Sequence, residues 1–203
     1  RYIQGGYRTL GADYLLADME MITLNGGTRL FKNKLTMSGS YGIQNNDLSN
    51  RRFAETGRNI GSANVGFRPD NQWSFNANFS NFSIYQTLLI DTLFADSVVV
   101  DQVNFQVGFT ASYVRVTPKH THTYTINTNI QNLSDRNALP DRDAGNEMLS
   151  LMANYGIRFN ERNYGFTIGA NYQDFSSFLT AQVRYGANVG FNIHFLDRKL
   201  NMR

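Results

Sequence analysis

From Leu179 to Phe195 the chain alternates with a period of two. The odd positions read Leu179, Ala181, Val183, Tyr185, Ala187, Val189, Phe191, Ile193 and Phe195, and the even positions Thr180, Gln182, Arg184, Gly186, Asn188, Gly190, Asn192 and His194. Successive side chains of a strand point to opposite faces, so the segment predicts a strand with one apolar face and one face of polar residues and glycine; a helix would not separate the two sets. The alternation recurs in Leu149 to Asn160, Tyr164 to Gln173 and Gln102 to Tyr113. It also runs through Leu35 to Gln44, Trp73 to Ser80 and Tyr124 to Ile130, and more weakly through Ile22 to Phe31 and Ala63 to Arg68. Nine strands are predicted, several much longer than the five or six residues usual in soluble sheets.

The connections carry a second pattern. Short turns rich in Asn, Asp, Pro or charge fall at Lys32-Asn33, Pro69 to Gln72, Thr117 to His120, Asn160 to Asn163 and Leu196 to Arg198. Between them lie longer connections near Asn46 to Asn59, Thr87 to Asp101 and Asp135 to Glu147. Outer-membrane barrels have short periplasmic turns and longer extracellular loops. The expected fold class is therefore all-β, a transmembrane antiparallel up-and-down β-barrel with its long connections outside the cell. Residues 1–203 read as a single barrel domain or barrel segment. A barrel in lipid has to close, and nine is an odd count; Lys199 to Arg203 reads as the start of a tenth strand. The expectation is part of a larger barrel, or a small barrel whose last strand is cut short.

Composition agrees with a surface that meets lipid on one side and water on the other. Charged residues make up 17%, below the roughly 25% of soluble domains, and the apolar content includes 15 Phe and 11 Tyr. No run of about 20 apolar residues exists, which excludes a helical span. Cysteine is absent, so there is neither a disulfide framework nor a thiolate metal site. Lys and Arg are scattered rather than clustered with aromatics, and no nucleic-acid partner is expected. A soluble lipocalin-like barrel would turn its apolar face inward, and the aromatic-rich face here is too extensive for that.

One stretch resembles a known group. Tyr7-Arg8-Thr9-Leu10-Gly11-Ala12-Asp13-Tyr14-Leu15 to Asp18 is followed by Thr23-Leu24-Asn25, Arg29-Leu30-Phe31-Lys32-Asn33-Lys34-Leu35, Tyr41-Gly42 and Asn46-Asp47-Leu48. This looks like large outer-membrane barrel proteins of Bacteroidota-type bacteria, in which a Leu-Gly loop with a Tyr-Leu pair precedes a strand and a hairpin of the Leu-Phe-Lys-Asn-Lys-Leu kind. The resemblance covers residues 7–48, about a fifth of the chain. It implies a barrel in the outer membrane of a Gram-negative cell, with a further N-terminal part before Arg1, and implies no activity.

On this reading Arg184, His194, Arg158, Arg68 and Arg29 are lumen-facing candidates, and Val107, Ile168, Val189 and Phe191 face lipid. An open lumen and one filled with packed Asn and Gln both fit. Trp73, Phe31, Phe67, Phe159, Tyr164, Phe191 and Phe195 fall near the short turns, where a periplasmic aromatic girdle belongs.

Four further groups invite chemistry. His120 and His122 would share a strand face and could hold a metal, yet no third ligand is evident and a solvated turn explains them as well. Asp141 to Glu147 places oxygen ligands at alternate positions around Gly145 but lacks the spacing of a helix-loop-helix calcium site. Arg51, Arg52 and Arg58 would charge an exterior loop; Asp91, Asp96 and Asp101 punctuate an apolar connection offering a surface to an extracellular partner. No nucleophile, base and acid can be assembled, so no enzyme, catalytic residue, metal or cofactor is expected. The expected function is a pore or translocation channel for solute or polypeptide, with outer-membrane lipid as partner. The rival is a structural or interaction barrel that anchors a surface or secretion assembly and binds protein partners through its long extracellular loops.

Overall fold

A computed structural model describes residues 2–3, 19–46, 54–88, 101–135, 145–161, 164–177, 180–195 and 200–202. Those residues form one antiparallel sheet of eleven strands, each hydrogen-bonded to its neighbours in sequence. The strands are β1 (Tyr2–Ile3), β2 (Met19–Leu30), β3 (Leu35–Asn46), β4 (Ala54–Phe67), β5 (Trp73–Leu88), β6 (Asp101–Val116), β7 (His120–Asp135), β8 (Asn146–Phe159), β9 (Tyr164–Ser177), β10 (Ala181–Phe195) and β11 (Leu200–Met202). The nine long strands β2 to β10 match the nine predicted, in order. β1 and β11 are short pairings on the two outer edges, and the sheet is not closed: they do not pair with each other.

Register is continuous along the long strands. Met19↔Asn46 to Leu30↔Leu35 zips β2 onto β3, and Asn146↔Ser177 to Phe159↔Tyr164 zips β8 onto β9. A slip of one residue would move every side chain to the other face, so the alternation itself holds this register. The sheet is one layer, and among the described residues no large side chain is fully buried.

The short turns are built from local side-chain chemistry. Between β2 and β3 the chain turns with positive φ at Phe31 (51°), Lys32 (56°) and Asn33 (68°), and the Lys34 N–H donates to the Phe31 carbonyl at 3.2 Å. Left-handed central residues match the twist of the flanking strands. Phe31 thus lies in the turn and not in a strand. Between β4 and β5 the Asp70 carboxylate accepts the N–H groups of Gln72 and Trp73, both at 2.8 Å. Between β6 and β7 the Thr117 hydroxyl donates to the His120 carbonyl at 2.7 Å, and its oxygen accepts the His120 N–H at 3.0 Å. Neighbouring turns are joined as well: the Arg68 N–H reaches the Lys34 carbonyl at 2.7 Å.

Three expectations change. First, β4 and β5 reach far beyond Ala63 to Arg68 and Trp73 to Ser80, because the alternation changes face along them. Near the short turns Phe67, Val65, Phe75 and Phe79 share a face with Leu35 and Met37. Farther up, Asn59, Gly61, Asn81 and Ser83 hold that face while Ile60, Phe82 and Ile84 hold the other. Second, Arg58 therefore lies in β4, paired with Gln44 and Ile84, and not in a loop. Third, β9 runs to Ser177 and meets β10 through a tight connection in which the Ser177 N–H donates to the Thr180 carbonyl at 2.8 Å. The rim that carries the long connections thus also holds one short one. Arg51, Arg52, Asp91, Asp96 and Asp141 to Ala144 lie outside the described residues, as do Tyr7 to Asp18 and Asp47-Leu48 of the resembling stretch.

Candidate functional site

The register sorts the side chains of all nine long strands into two faces. One carries Leu149, Leu151, Ala153, Tyr155, Ile157 and Phe159 of β8, with Tyr164, Phe166, Ile168, Ala170 and Tyr172 of β9 and Val183 to Ile193, at odd positions, of β10. β6 adds Val103, Phe105, Val107, Phe109, Ala111 and Tyr113. Val107, Ile168, Val189 and Phe191 all lie on this apolar face. Val189 is 81% exposed, Tyr185 80% and Ile168 56%, so no part of the described chain covers them.

The apolar band has a defined height. On β8 it runs eleven residues from Leu149 to Phe159, and on β9 nine from Tyr164 to Tyr172. It ends toward the long connections at carboxylates on the same face: Glu147, Asp174 and Asp101. A tilted strand crosses the hydrocarbon of a bilayer in about 9 to 11 residues.

Along the short-turn end of this face runs a continuous chain of aromatic rings. Phe67 on β4 stacks on Phe75 at 6.3 Å, Phe75 on Trp73 at 5.5 Å, and Trp73 meets Tyr113 on β6 at 4.6 Å. Tyr113 continues to Tyr124 on β7 at 6.0 Å, and Tyr124 to Tyr155 on β8 at 5.0 Å. From Tyr155 the chain passes His122 (6.1 Å), His120 (6.2 Å) and Phe159 (4.8 Å). Phe159 then meets Tyr164 on β9 at 4.8 Å, and Phe166 reaches Phe191 on β10 at 4.9 Å. Offset and edge contacts of this kind suit the ring quadrupole.

The two histidines therefore belong to this belt. The His122 Nδ1 lies 2.9 Å from the Tyr155 hydroxyl, and among the described residues no third ligand completes a metal site with them. The sequence pattern places Trp73, Phe67, Phe159, Tyr164 and Phe191 in the girdle but misses Phe75, Phe166, Tyr113, Tyr124, Tyr155 and both histidines. Their signal was available: each shares parity with its apolar strand face and sits near a short turn. The side chain of Phe195 lies outside the described residues.

The opposite face is mostly polar, with apolar side chains such as Ile60, Phe82, Ile84, Met148, Met152 and Phe175 interspersed. Cross-strand rows such as Asn25, Ser40, Ser62, Ser80, Gln106 and Gln131 carry hydroxyls and amides, some of which bond across strands. Ser40 and Ser62 hydroxyls lie 2.7 Å apart, the Gln106 amide donates to Asn129 at 3.0 Å, and the Thr110 hydroxyl to Asn127 at 2.9 Å. Gly169 sits between the side-chain oxygens of Asn154 and Asn188, so close that a Cβ there would collide with both. Asparagine amides thus occupy the space that a side chain at glycine would take, as Asn78 does over Gly108 and Asn171 over Gly186. Near the short-turn end a cleft of about 260 Å³ is lined by Thr121, Thr123, Thr125, Thr167, Asn154 and Arg158.

Of the five lumen-facing candidates, Arg29, Arg158 and Arg184 lie on this polar face, opposite Thr36, Thr121 and Gln173 respectively. The Arg184 Nη2 donates to the Gln182 side-chain oxygen at 2.7 Å. Arg68 follows the last residue of β4 and belongs to the turn instead, its N–H held by the Lys34 carbonyl. His194 pairs through its backbone with Asn201, and its side chain lies outside the described residues. Arg58, not among the five, joins the polar face. No family model matches the sequence, and neither a curated protein nor a solved structure matches it.

Proposed function

We propose that this chain is wall of an outer-membrane β-barrel that forms a pore or translocation channel, its apolar face against lipid and its polar face toward a lumen through which a solute or polypeptide passes. The observation that carries this reading is the ring chain from Phe67 to Phe191, which follows the short-turn rim over seven strands on the apolar face alone. Aromatic rings prefer the boundary between hydrocarbon and headgroups, and barrels girdle themselves there. The height of the apolar band supports it, as does the single-layer sheet: an apolar face this large, uncovered by the described residues, needs an apolar surrounding.

In lipid the outer edges of the sheet require strand partners, since unpaired N–H and C=O groups cannot be satisfied by water there. The lumen then has walls of hydroxyl and amide groups that exchange hydrogen bonds with a hydrated cargo. The testing experiment is single-channel recording of the full-length protein in a planar lipid bilayer. Discrete, reproducible conductance steps support the channel. A protein that inserts correctly and stays silent supports the rival reading, a barrel that anchors a surface or secretion assembly.

A further inference from the structure

We infer that the channel, if the reading above holds, selects anions, because arginine guards both ends of its polar face. The charges of the long strands are sorted by face. Of five arginines, four lie on the polar face (Arg29, Arg58, Arg158 and Arg184) and Arg115 alone lies on the other. Of six carboxylates, Glu20, Glu55, Asp101, Glu147 and Asp174 lie on the apolar face at its long-connection end, and Asp135 alone lies on the polar face, at the last residue of β7. The long strands contain no lysine.

Position along the strands sharpens the point. Arg29 and Arg158 are each one residue from the short-turn end of their strands, while Arg58 and Arg184 stand near the long-connection end of theirs. Between the two levels the polar face offers mostly Ser, Thr, Asn, Gln and Gly, interrupted by Ile60, Phe82 and Met152, and none of these holds or repels an ion by charge. Arg29, Arg158 and Arg184 are exposed, so their guanidinium groups face whatever occupies the lumen. The hydrogen-bond partner of the Arg184 guanidinium on its own strand is a neutral amide, that of Gln182. A guanidinium stays protonated at every physiological pH, and a low-dielectric wall focuses its field into the water it encloses. Charged rings at a mouth set the sign of the permeant ion.

The test is the reversal potential of the full chain in a planar bilayer under a KCl gradient. The expected sign is that of an anion-selective channel, with a chloride-over-potassium permeability ratio above about three. Arg158→Gln and Arg184→Gln each lower the ratio, Arg184→Lys keeps it, and Glu147→Gln on the opposite face leaves it unchanged. Conductance that is cation-selective or unselective overturns the inference and leaves the channel standing. An unchanged ratio with all four arginines replaced by Gln also overturns it. Absence of any conductance step removes the channel and this inference together.

Discussion

The Asn160 side-chain N–H donates to the Thr117 carbonyl at 2.9 Å, tying the turn after β8 to the turn before β7. The same side chain accepts the Thr121 hydroxyl at 3.0 Å, and the Asn160 backbone N–H reaches the Lys119 carbonyl at 2.9 Å. One asparagine thereby stitches two neighbouring turns of the short-turn rim. Asn160→Ala removes these side-chain bonds, with a longer one to the Pro118 carbonyl at 3.4 Å, and is expected to cost about 1 to 2 kcal/mol in denaturant unfolding from lipid or detergent. Asn160→Asp keeps an acceptor for Thr121 and loses the donor, so it should fall between. An alanine variant as stable as the parent would show that the two turns are held by backbone alone.

Neighbouring residues on β10 should respond in opposite ways to charge. Val189→Arg places a guanidinium on the apolar face beside Ile168, and is expected to cost about 2 to 4 kcal/mol if that face meets the hydrocarbon midplane. The same substitution at Val107 or Ile168 should do likewise. Asn188→Arg, one residue away on the polar face, should cost far less. Losses below about 1 kcal/mol at all three apolar positions contradict the lipid assignment.

How far the sequence carries the fold depends on where the alternation holds. On β10, Val183 to Ile193 alternates without a break, and strand, face and register follow from the sequence. β4 and β5 are different: at Asn59-Ile60 and at Asn81-Phe82 the apolar residue moves to the other face, so the alternation breaks while the backbone ladder continues. Periodicity reads side-chain partition, whereas hydrogen bonding extends the strand regardless of it. Arg58 reads as a loop residue for that reason, although it pairs within β4. The β9–β10 connection was also hidden, because Asp174 to Ser177 lacks alternation yet pairs fully with β8 or β10. The polar face was legible as a set of residues. The ring chain was legible only in part, since contacts such as Tyr113 with Tyr124 need the inter-strand register.

Trp73 is the sole tryptophan and a link in the ring chain, stacked on Phe75 and 4.6 Å from Tyr113. Its fluorescence should shift to the blue when the protein enters lipid vesicles. Quenchers fixed near the headgroups should then dim it more strongly than quenchers at the bilayer centre, as befits an interfacial ring. Equal insensitivity to both would mean that this face does not touch lipid.

The turn between β2 and β3 makes a backbone prediction. Asn33 has φ of 68°, a conformation that asparagine tolerates and β-branched residues resist. Asn33→Val is expected to lower stability by about 1 to 2 kcal/mol, and Asn33→Gly to be close to neutral, read as shifts in the thermal unfolding midpoint. A valine variant as stable as the glycine one would contradict a left-handed turn at this position.

The most direct test of the two-faced membrane wall is a cysteine scan of β10, made clean by the absence of native cysteine. Each residue from Val183 to Asn192 is replaced singly by Cys, and labelling by a small water-soluble thiol reagent is measured in protein reconstituted into lipid vesicles. The account predicts a period of two: strong labelling at Arg184, Gly186, Asn188, Gly190 and Asn192, and weak labelling at Val183, Tyr185, Ala187, Val189 and Phe191. Uniform labelling along the strand, or the reverse alternation, would contradict it.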